Sequence, residues 1–299
     1  MSPGLTRWRA AGLWYSHRGH PVFYRQGGRN PQADTALVLV HGFPTASWDW
    51  NQVWDTLCAG FDRVIAPDMI GFGFSGKPAG YPYSIFDQAE LHENLLHKLG
   101  VRRYHILSHD YGDTVAQELL ARHEDRARAR NPALVIRSCV LLNGGLFPES
   151  HRPRLIQKLL LTPLGPVLGR LMNRRSFGQS FSAIFGPDTR PSIEELDDFW
   201  ELVCGNRGRH VMHRLIRYIP ERHANRERWV GVLQKTTVPL RFIDGPEDPV
   251  SGQHMVDRYR ELVPAPDSVV LPRIGHYPQV EDSAAVLKAF LEFHARLGN

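Results

Sequence analysis

Short runs of apolar residues recur along the chain, each followed by a stretch whose apolar positions repeat at helical spacing. The runs are Ala36 to Val40, Arg63 to Ala66, Tyr104 to Leu107, Ser138 to Leu142, Leu240 to Ile243 and Ser268 to Leu271. Most are apolar throughout rather than alternating, the pattern of buried parallel strands with helices on both faces. Phe86 to Lys98 and Thr114 to Arg122 carry helical patterns between them. Regular alternation of strand and helix predicts an α/β protein with a doubly wound, mostly parallel sheet. Ahead of the series, Leu13 to Tyr15 and Val22 to Tyr24 flank Arg18-Gly19-His20-Pro21 and predict a hairpin.

One interval breaks the rhythm. Residues 147–237 contain no buried-strand run but several helix-like stretches, of which Leu155 to Leu161, Ile193 to Val203 and His210 to Tyr218 are the clearest. So long an interval is not a simple loop. The expectation is a helical cap, 147–237, inserted into a core made of 1–146 and 238–299, covering the carboxyl ends of the strands where open α/β sheets bind ligands.

Composition changes this picture little. The 299 residues, 42% hydrophobic and 22% charged, suit a globular protein of this size. No apolar run approaches the roughly 20 residues that span a bilayer, and no signal peptide is apparent. Cys58, Cys139 and Cys204 lack metal-ligand spacing, so neither a metal nor a cofactor is expected, and a reducing cytoplasm is the default compartment. The net charge of +5 is carried mainly by arginines mixed with acids, as in Arg122 to Arg130 and Arg222 to Arg228. That reads as a solvated basic surface, with no nucleic acid or membrane as partner.

Candidate chemistry begins after the strand Tyr104 to Leu107, at Ser108-His109-Asp110-Tyr111-Gly112 followed by a helix. A small residue, any residue, a nucleophile, any residue and glycine between strand and helix is a nucleophile elbow, with Asp110 at its apex. Attack by a serine on a saturated carbon would leave an ether that water does not readily cleave. A carboxylate leaves an ester, which water hydrolyses. Asp110 therefore points to substitution at sp³ carbon, of epoxides or alkyl halides. Weighed against this are Asp110 as a plain helix N-cap, Ser108 as nucleophile, and Asp113, best read as a first-turn charge that stabilises the helix.

The partners follow in the expected chain order. His276, in a Gly-His-Tyr-Pro loop after the late strand, is the base that would deprotonate water, singled out from 15 histidines. Asp248, just after Leu240 to Ile243, would orient it, with Glu247 and Asp244 as alternatives; the position after the preceding strand reads Asn143-Gly144-Gly145 and offers no acid. His41-Gly42-Phe43-Pro44 follows the strand Ala36 to Val40. In this arrangement the backbone N–H groups of Phe43 and Tyr111 would form an oxyanion hole, while His41 and Pro44 would meet substrate. Trp48 and Trp50 are expected to pack beneath that loop. Tyr218, the sole tyrosine of 147–237, would protonate an opening epoxide oxygen, with His213 and His210 nearby on the same segment.

These residues carry a likeness. HGFP with Trp48, Asp68-Met69-Ile70-Gly71-Phe72-Gly73-x-Ser75, the elbow SHDYG, Asp248 and His276 resemble the epoxide hydrolase and haloalkane dehalogenase branch of the α/β-hydrolase superfamily. SHDYGDTVAQELL, NGGLFPESHRP, FGPDTRPS, RWVG and HYPQVED are similar to the mesoderm-specific transcript hydrolases, whose vertebrate members carry membrane-spanning segments. The resemblance implies an α/β-hydrolase fold and a cofactor-free hydrolase. Where dehalogenases hold the leaving halide with Trp, this chain has Tyr111 and Phe43, and epoxide hydrolases usually place two tyrosines in the cap. The expected activity is epoxide hydrolysis of a small hydrophobic organic substrate with water. Alternatives are a haloalkane or haloacid dehalogenase, and a non-catalytic binding protein of the same fold. Oligomeric state is not readable.

Overall fold

The computed structural model describes residues 1–131 and 133–298. Its centre is an eight-stranded sheet of β1 (Leu13–His17), β2 (His20–Gly27), β3 (Thr35–Val40), β4 (Val64–Pro67), β5 (Arg103–His109), β6 (Val135–Leu142), β7 (Leu240–Asp244) and β8 (Ser268–Val270). Their spatial order is β1-β2-β4-β3-β5-β6-β7-β8. The first two strands pair antiparallel, and β2 meets β4 antiparallel; every later pairing is parallel. This is the mostly parallel sheet that the strand pattern predicted, in the α/β-hydrolase fold that the family resemblance implied. The hairpin forms as expected: Leu13 faces Tyr24, and its turn places Arg18 and Gly19 at φ 48° and 81°. Two successive left-handed residues match the twist of the flanking strands.

Side-chain alternation explains the apolar strands. Val38, Val40, Ile106 and Leu141 pack on one face with Ala89 and Val115, from helices Ile85–Lys98 and Tyr111–Arg128. Leu37, Leu39, Leu107 and Leu142 pack on the other with Val53 and Phe290, from helices Asn51–Gly60 and Ser283–Arg296. With both faces covered, neither set of alternate positions can be polar. Trp50 is fully buried and Trp48 lies edge-on against Trp8, as packing residues beside the first loop.

Strand order reverses between β3 and β5, because β4 lies on the far side of β3. The crevice at such a switch point opens at the carboxyl ends of the strands, and here it receives the loops after β3 and β5.

Between β6 and β7 the described residues contain helices and no strand. These are Leu155–Leu160, Gly165–Leu171, Arg174–Ser182, Ile193–Cys204, Met212–Leu215, Tyr218–Ala224 and Arg226–Lys235, with a 3₁₀ turn at Gly205–His210. The continuous helix expected from His210 to Tyr218 is instead broken into pieces. Pro220 lacks an N–H and fits only in a first turn, so a helix starts at Tyr218 rather than ending there. Arg226–Lys235 packs against helix Tyr111–Arg128: the fully buried Glu118 accepts from Arg228 Nε at 2.7 Å and Trp229 Nε1 at 2.8 Å.

Candidate active site

The turn after β5 is shaped by what cannot be there. A Cβ on Gly112 would lie 2.3 Å from the Val40 carbonyl oxygen, and one on Gly42 would lie 2.5 Å from His109 Nδ1. Two bare backbones therefore let the loops after β3 and β5 touch. Between them Asp110 sits at φ 47°, ψ −104°, a conformation that costs a non-glycine residue on the order of 1–3 kcal/mol and tends to persist at functional sites. Its position is the N-cap of helix Tyr111–Arg128, but its side chain makes no capping hydrogen bond. The carboxylate points elsewhere.

Oδ2 of Asp110 accepts from the Phe43 N–H at 3.1 Å. Tyr111 follows at the first helical position, where the N–H has no acceptor within the helix. Nε2 of His276 lies 3.9 Å from the same Oδ2, too far for a hydrogen bond yet within reach of a shared water. On its other side the imidazole Nδ1 meets Asp248 Oδ2 at 2.7 Å. All three residues are buried. Glu247 is exposed and the Asp244 carboxylate has no hydrogen-bond partner among the described residues, so Asp248 is the acid that touches the histidine.

Asp248 is held from several directions. It accepts from Val250 N–H at 2.7 Å, Ser251 N–H at 3.1 Å, Ser251 Oγ at 2.8 Å and Asn143 Nδ2 at 3.2 Å. Burial alone would raise its pKa, but the His276 charge and these donors leave it below the ordinary value. Burial likewise works against charge on His276, and Asp248 outweighs it, with help from Asp110; the imidazole is raised to about 9. The resting pair is thus imidazolium and carboxylate at neutral pH.

Several expected contacts fall elsewhere. His41 is fully buried and faces away from the cavity: Nδ1 donates to the Gly42 carbonyl at 2.8 Å and Nε2 accepts from Met69 N–H at 3.0 Å. Both ring nitrogens are spent on backbone, so His41 ties the loop together rather than meeting a ligand. Burial lowers its pKa to about 3. His213 is half-buried outside the cavity wall; its neighbour Met212 faces the cavity instead, as adjacent helical residues must diverge. Asp113 is no surface charge. It lies buried, its Oδ1 accepting from Ser108 Oγ at 2.6 Å, and burial pushes its pKa well up. The same bond accounts for the Ser108 hydroxyl.

Tyr218 is buried beside the elbow, its ring 4.9 Å from that of Tyr111 and 5.9 Å from that of Phe43. Its hydroxyl has no hydrogen-bond partner among the described residues, and burial, followed by the charge of Asp110, pushes its pKa far up. It is not one of the residues that line the cavity.

Arg222 was not singled out by sequence. It is buried, donates from Nη2 to the Asp110 backbone carbonyl at 3.0 Å and from Nε to Thr114 Oγ1 at 2.6 Å, and lies over the Tyr218 ring at 4.5 Å. Nη2 is also 3.7 Å from Asp110 Oδ1. A Cβ on Gly145 would lie 2.3 Å from its Nη1, so that glycine makes room for the guanidinium. The available signal was spacing, since Tyr218 and Arg222 share one helix face at i and i+4.

Over Asp110 and His276 opens a cavity of about 340 Å³. Its floor includes Phe43 and Pro44, and its walls are mostly apolar side chains from 147–237, among them Leu160, Leu168, Phe177 and Phe181. The floor and the inserted segment also meet directly, where the His276 N–H donates to the Ile184 carbonyl at 2.8 Å. The described residues contain no cluster suited to a metal ion and no helix long and apolar enough to cross a membrane.

A sequence profile of the alpha/beta hydrolase family matches residues 37–289. The human mesoderm-specific transcript homolog protein is 45% identical over 98% of this chain and 88% of its own length. The putative hydrolase LipZ of Mycobacterium tuberculosis is 38% identical over 97% of this chain and 98% of its own. Among solved structures, the haloalkane dehalogenase DatA of Agrobacterium tumefaciens superposes with a TM-score of 0.79 at 18% identity, covering 96% of each chain. At that identity the likeness concerns the fold.

Proposed function

The chain belongs to the alpha/beta hydrolase family, and we propose that this hydrolase attacks an sp³ carbon of its substrate with Asp110, an epoxide being the favoured substrate. The observation that carries the reading is the carboxylate itself: a strained, buried Asp110 at the elbow, its Oδ2 paired with an oxyanion-type N–H and facing a His–Asp pair. Residues 147–237 act as the cap that excludes water from this site and shapes it for an apolar substrate.

In the first step an Asp110 oxygen forms a bond to a ring carbon while the carbon–oxygen bond of the epoxide breaks. The departing alkoxide takes the Tyr218 phenol proton, which burial keeps on the phenol at rest. The oxygen already paired with Phe43 becomes the ester carbonyl. Once the ester has formed, the imidazolium proton of His276 passes through water to the phenolate. In the second step water adds to that carbonyl and gives a proton to the now neutral His276, steered by Asp248. The oxyanion forms on Asp110, against the N–H groups of Phe43 and Tyr111. Collapse passes the proton of the added hydroxyl to the departing oxygen, releases the diol, and leaves Asp110 ionised and His276 protonated as at rest. The raised pKa of His276 fits this sequence, because esterification cancels the Asp110 charge that helps hold the proton. The histidine becomes a base when a base is needed.

A second reading has one observation in its favour. Tyr218 does not line the cavity, and a departing halide, unlike an alkoxide, needs no proton. Haloalkane or haloacid dehalogenation uses the same Asp110 and His276 steps.

The deciding experiment is mass spectrometry of His276→Gln after incubation with styrene oxide and, separately, with haloalkanes. The expected result is an ester adduct on the Asp110 peptide with the epoxide. Adduct only with haloalkanes replaces the substrate assignment, and adduct with neither panel removes the Asp110 proposal.

A further inference from the structure

We propose that the two short helices over the cavity mouth form a docking surface for an anionic lipid membrane. Three observations converge on helices Leu155–Leu160 and Gly165–Leu171. The first is exposure. Large apolar side chains normally reach the surface singly, but here Leu155, Leu159, Leu161, Leu164, Val167 and Leu171 crowd one segment, with Leu155 and Leu171 about 70% exposed (72% and 69%).

The second is charge. Between Glu149 and Asp188 the sequence has no carboxylate but six cations, Arg152, Arg154, Lys158, Arg170, Arg174 and Arg175. Only Arg174 forms a salt bridge, to Asp197, among the described residues. The neighbouring turn and helix add further cations, including Arg209 and Arg214, and no acid between them. The contrast with the rest of the surface is direct. Arg122, Arg126 and Arg228, which the sequence pattern read as solvated basic residues, are all paired with Glu93, Glu118 or Asp125. A patch whose cations, Arg174 apart, form no salt bridge among the described residues, interleaved with exposed leucines, matches the composition of segments that lie in a membrane interface, apolar groups inward and basic groups at anionic headgroups.

The third is continuity. Arg154, Ile156 and Leu171 belong both to this surface and to the wall of the cavity above Asp110. A lipophilic molecule dissolved in the bilayer would enter the cavity without crossing water. The proposal concerns a peripheral surface only; no helix among the described residues is long and apolar enough to cross a membrane.

The test is co-sedimentation of the full chain with phosphatidylcholine vesicles containing or lacking phosphatidylglycerol, which reads binding and not catalysis. The wild type should bind the anionic vesicles at least about tenfold more tightly than the neutral ones, and more weakly as salt rises. The triple variant Leu155→Ser, Leu164→Ser, Val167→Ser and the double variant Lys158→Glu, Arg170→Glu should each lose that binding by about tenfold or more while keeping the wild-type melting temperature. None of these five residues lines the cavity. Absence of wild-type binding to anionic vesicles overturns the proposal, as does equal binding by both variants. A concentration-dependent dimer in analytical ultracentrifugation that the triple variant abolishes would assign the patch to a second copy of this chain and overturn it equally.

Discussion

The cavity has a floor and a roof built on different principles. The floor is polar, buried and over-determined: Asp248 alone accepts five hydrogen bonds, from Val250, Ser251 twice, Asn143 and His276. Glycines at 42 and 112 admit no side chain at all. The roof is apolar and held by ring and aliphatic packing, such as Phe181 against Phe199 and Tyr277. A hydrogen-bonded carboxylate tolerates little displacement before its desolvation is uncompensated, whereas apolar contacts can be exchanged at constant volume. The floor is therefore the less tolerant of change, and the roof the more adaptable.

The sharpest way to break this division is at its centre. Asp110→Asn should reduce turnover of the accepted substrate by about 10⁴-fold or more, as loss of a nucleophile does elsewhere. Its thermal melting should stay within a few degrees of wild type, about 5 °C, since an isosteric change leaves the packing intact; retained turnover would place the chemistry on a residue other than Asp110.

Asp248→Asn comes next. Turnover should fall by roughly 10³–10⁴-fold, because the histidine loses both orientation and charge partner. The linkage also has a sign. Asp248, with Asp110, pushes His276 from its ordinary 6.5 up to about 9, so its pairing stabilises the fold fully below about 6.5 and is lost as pH rises through the raised value. Asp248, lowered, contributes above its ordinary value of 3.8 and loses that contribution as pH falls below it. An imidazole NMR titration should place His276 near 9 in wild type and lower in both Asp248→Asn and Asp110→Asn. An unshifted midpoint in both variants would remove the charge coupling.

Arg222→Gln probes the seam between the two regions, since its guanidinium reaches from the inserted segment to the Asp110 carbonyl. Loss of that donor and of the fixed cation should cost about 10²-fold in kcat, with a smaller change in KM, if the elbow is held for reaction rather than for binding. A change confined to melting temperature would mark Arg222 as structural. The smallest effect belongs to the roof: Leu168→Ala should alter kcat/KM by about tenfold at most, and unequally for short and bulky substrates, as a pocket methylene does. Equal losses across a substrate series would deny the roof its part in selectivity.

Much of this was legible in the linear sequence because it depends on local rules. Apolar runs with both faces covered announce parallel strands, Arg18-Gly19 announces a hairpin turn, and Ser108 to Gly112 announces an elbow, since each is a constraint between near neighbours. Asp110, His276 and Asp248 followed from chain order, and the structure brings those three side chains together. What the sequence could not reveal depends on burial and on distance across the fold. His41 looked like a ligand contact until two backbone partners claimed its ring. Asp113 does stand in the first helical turn, but nothing local announced that it would be buried there against Ser108 and the Leu142 N–H. Arg222, inside a run of basic residues, became part of the elbow only because Gly145 leaves space beside it. Residue type sets which chemistry is available to a side chain. Whether that side chain meets water, backbone or a reacting atom is decided by packing between segments more than a hundred residues apart, as between Asp110 and Arg222, and no local pattern encodes it.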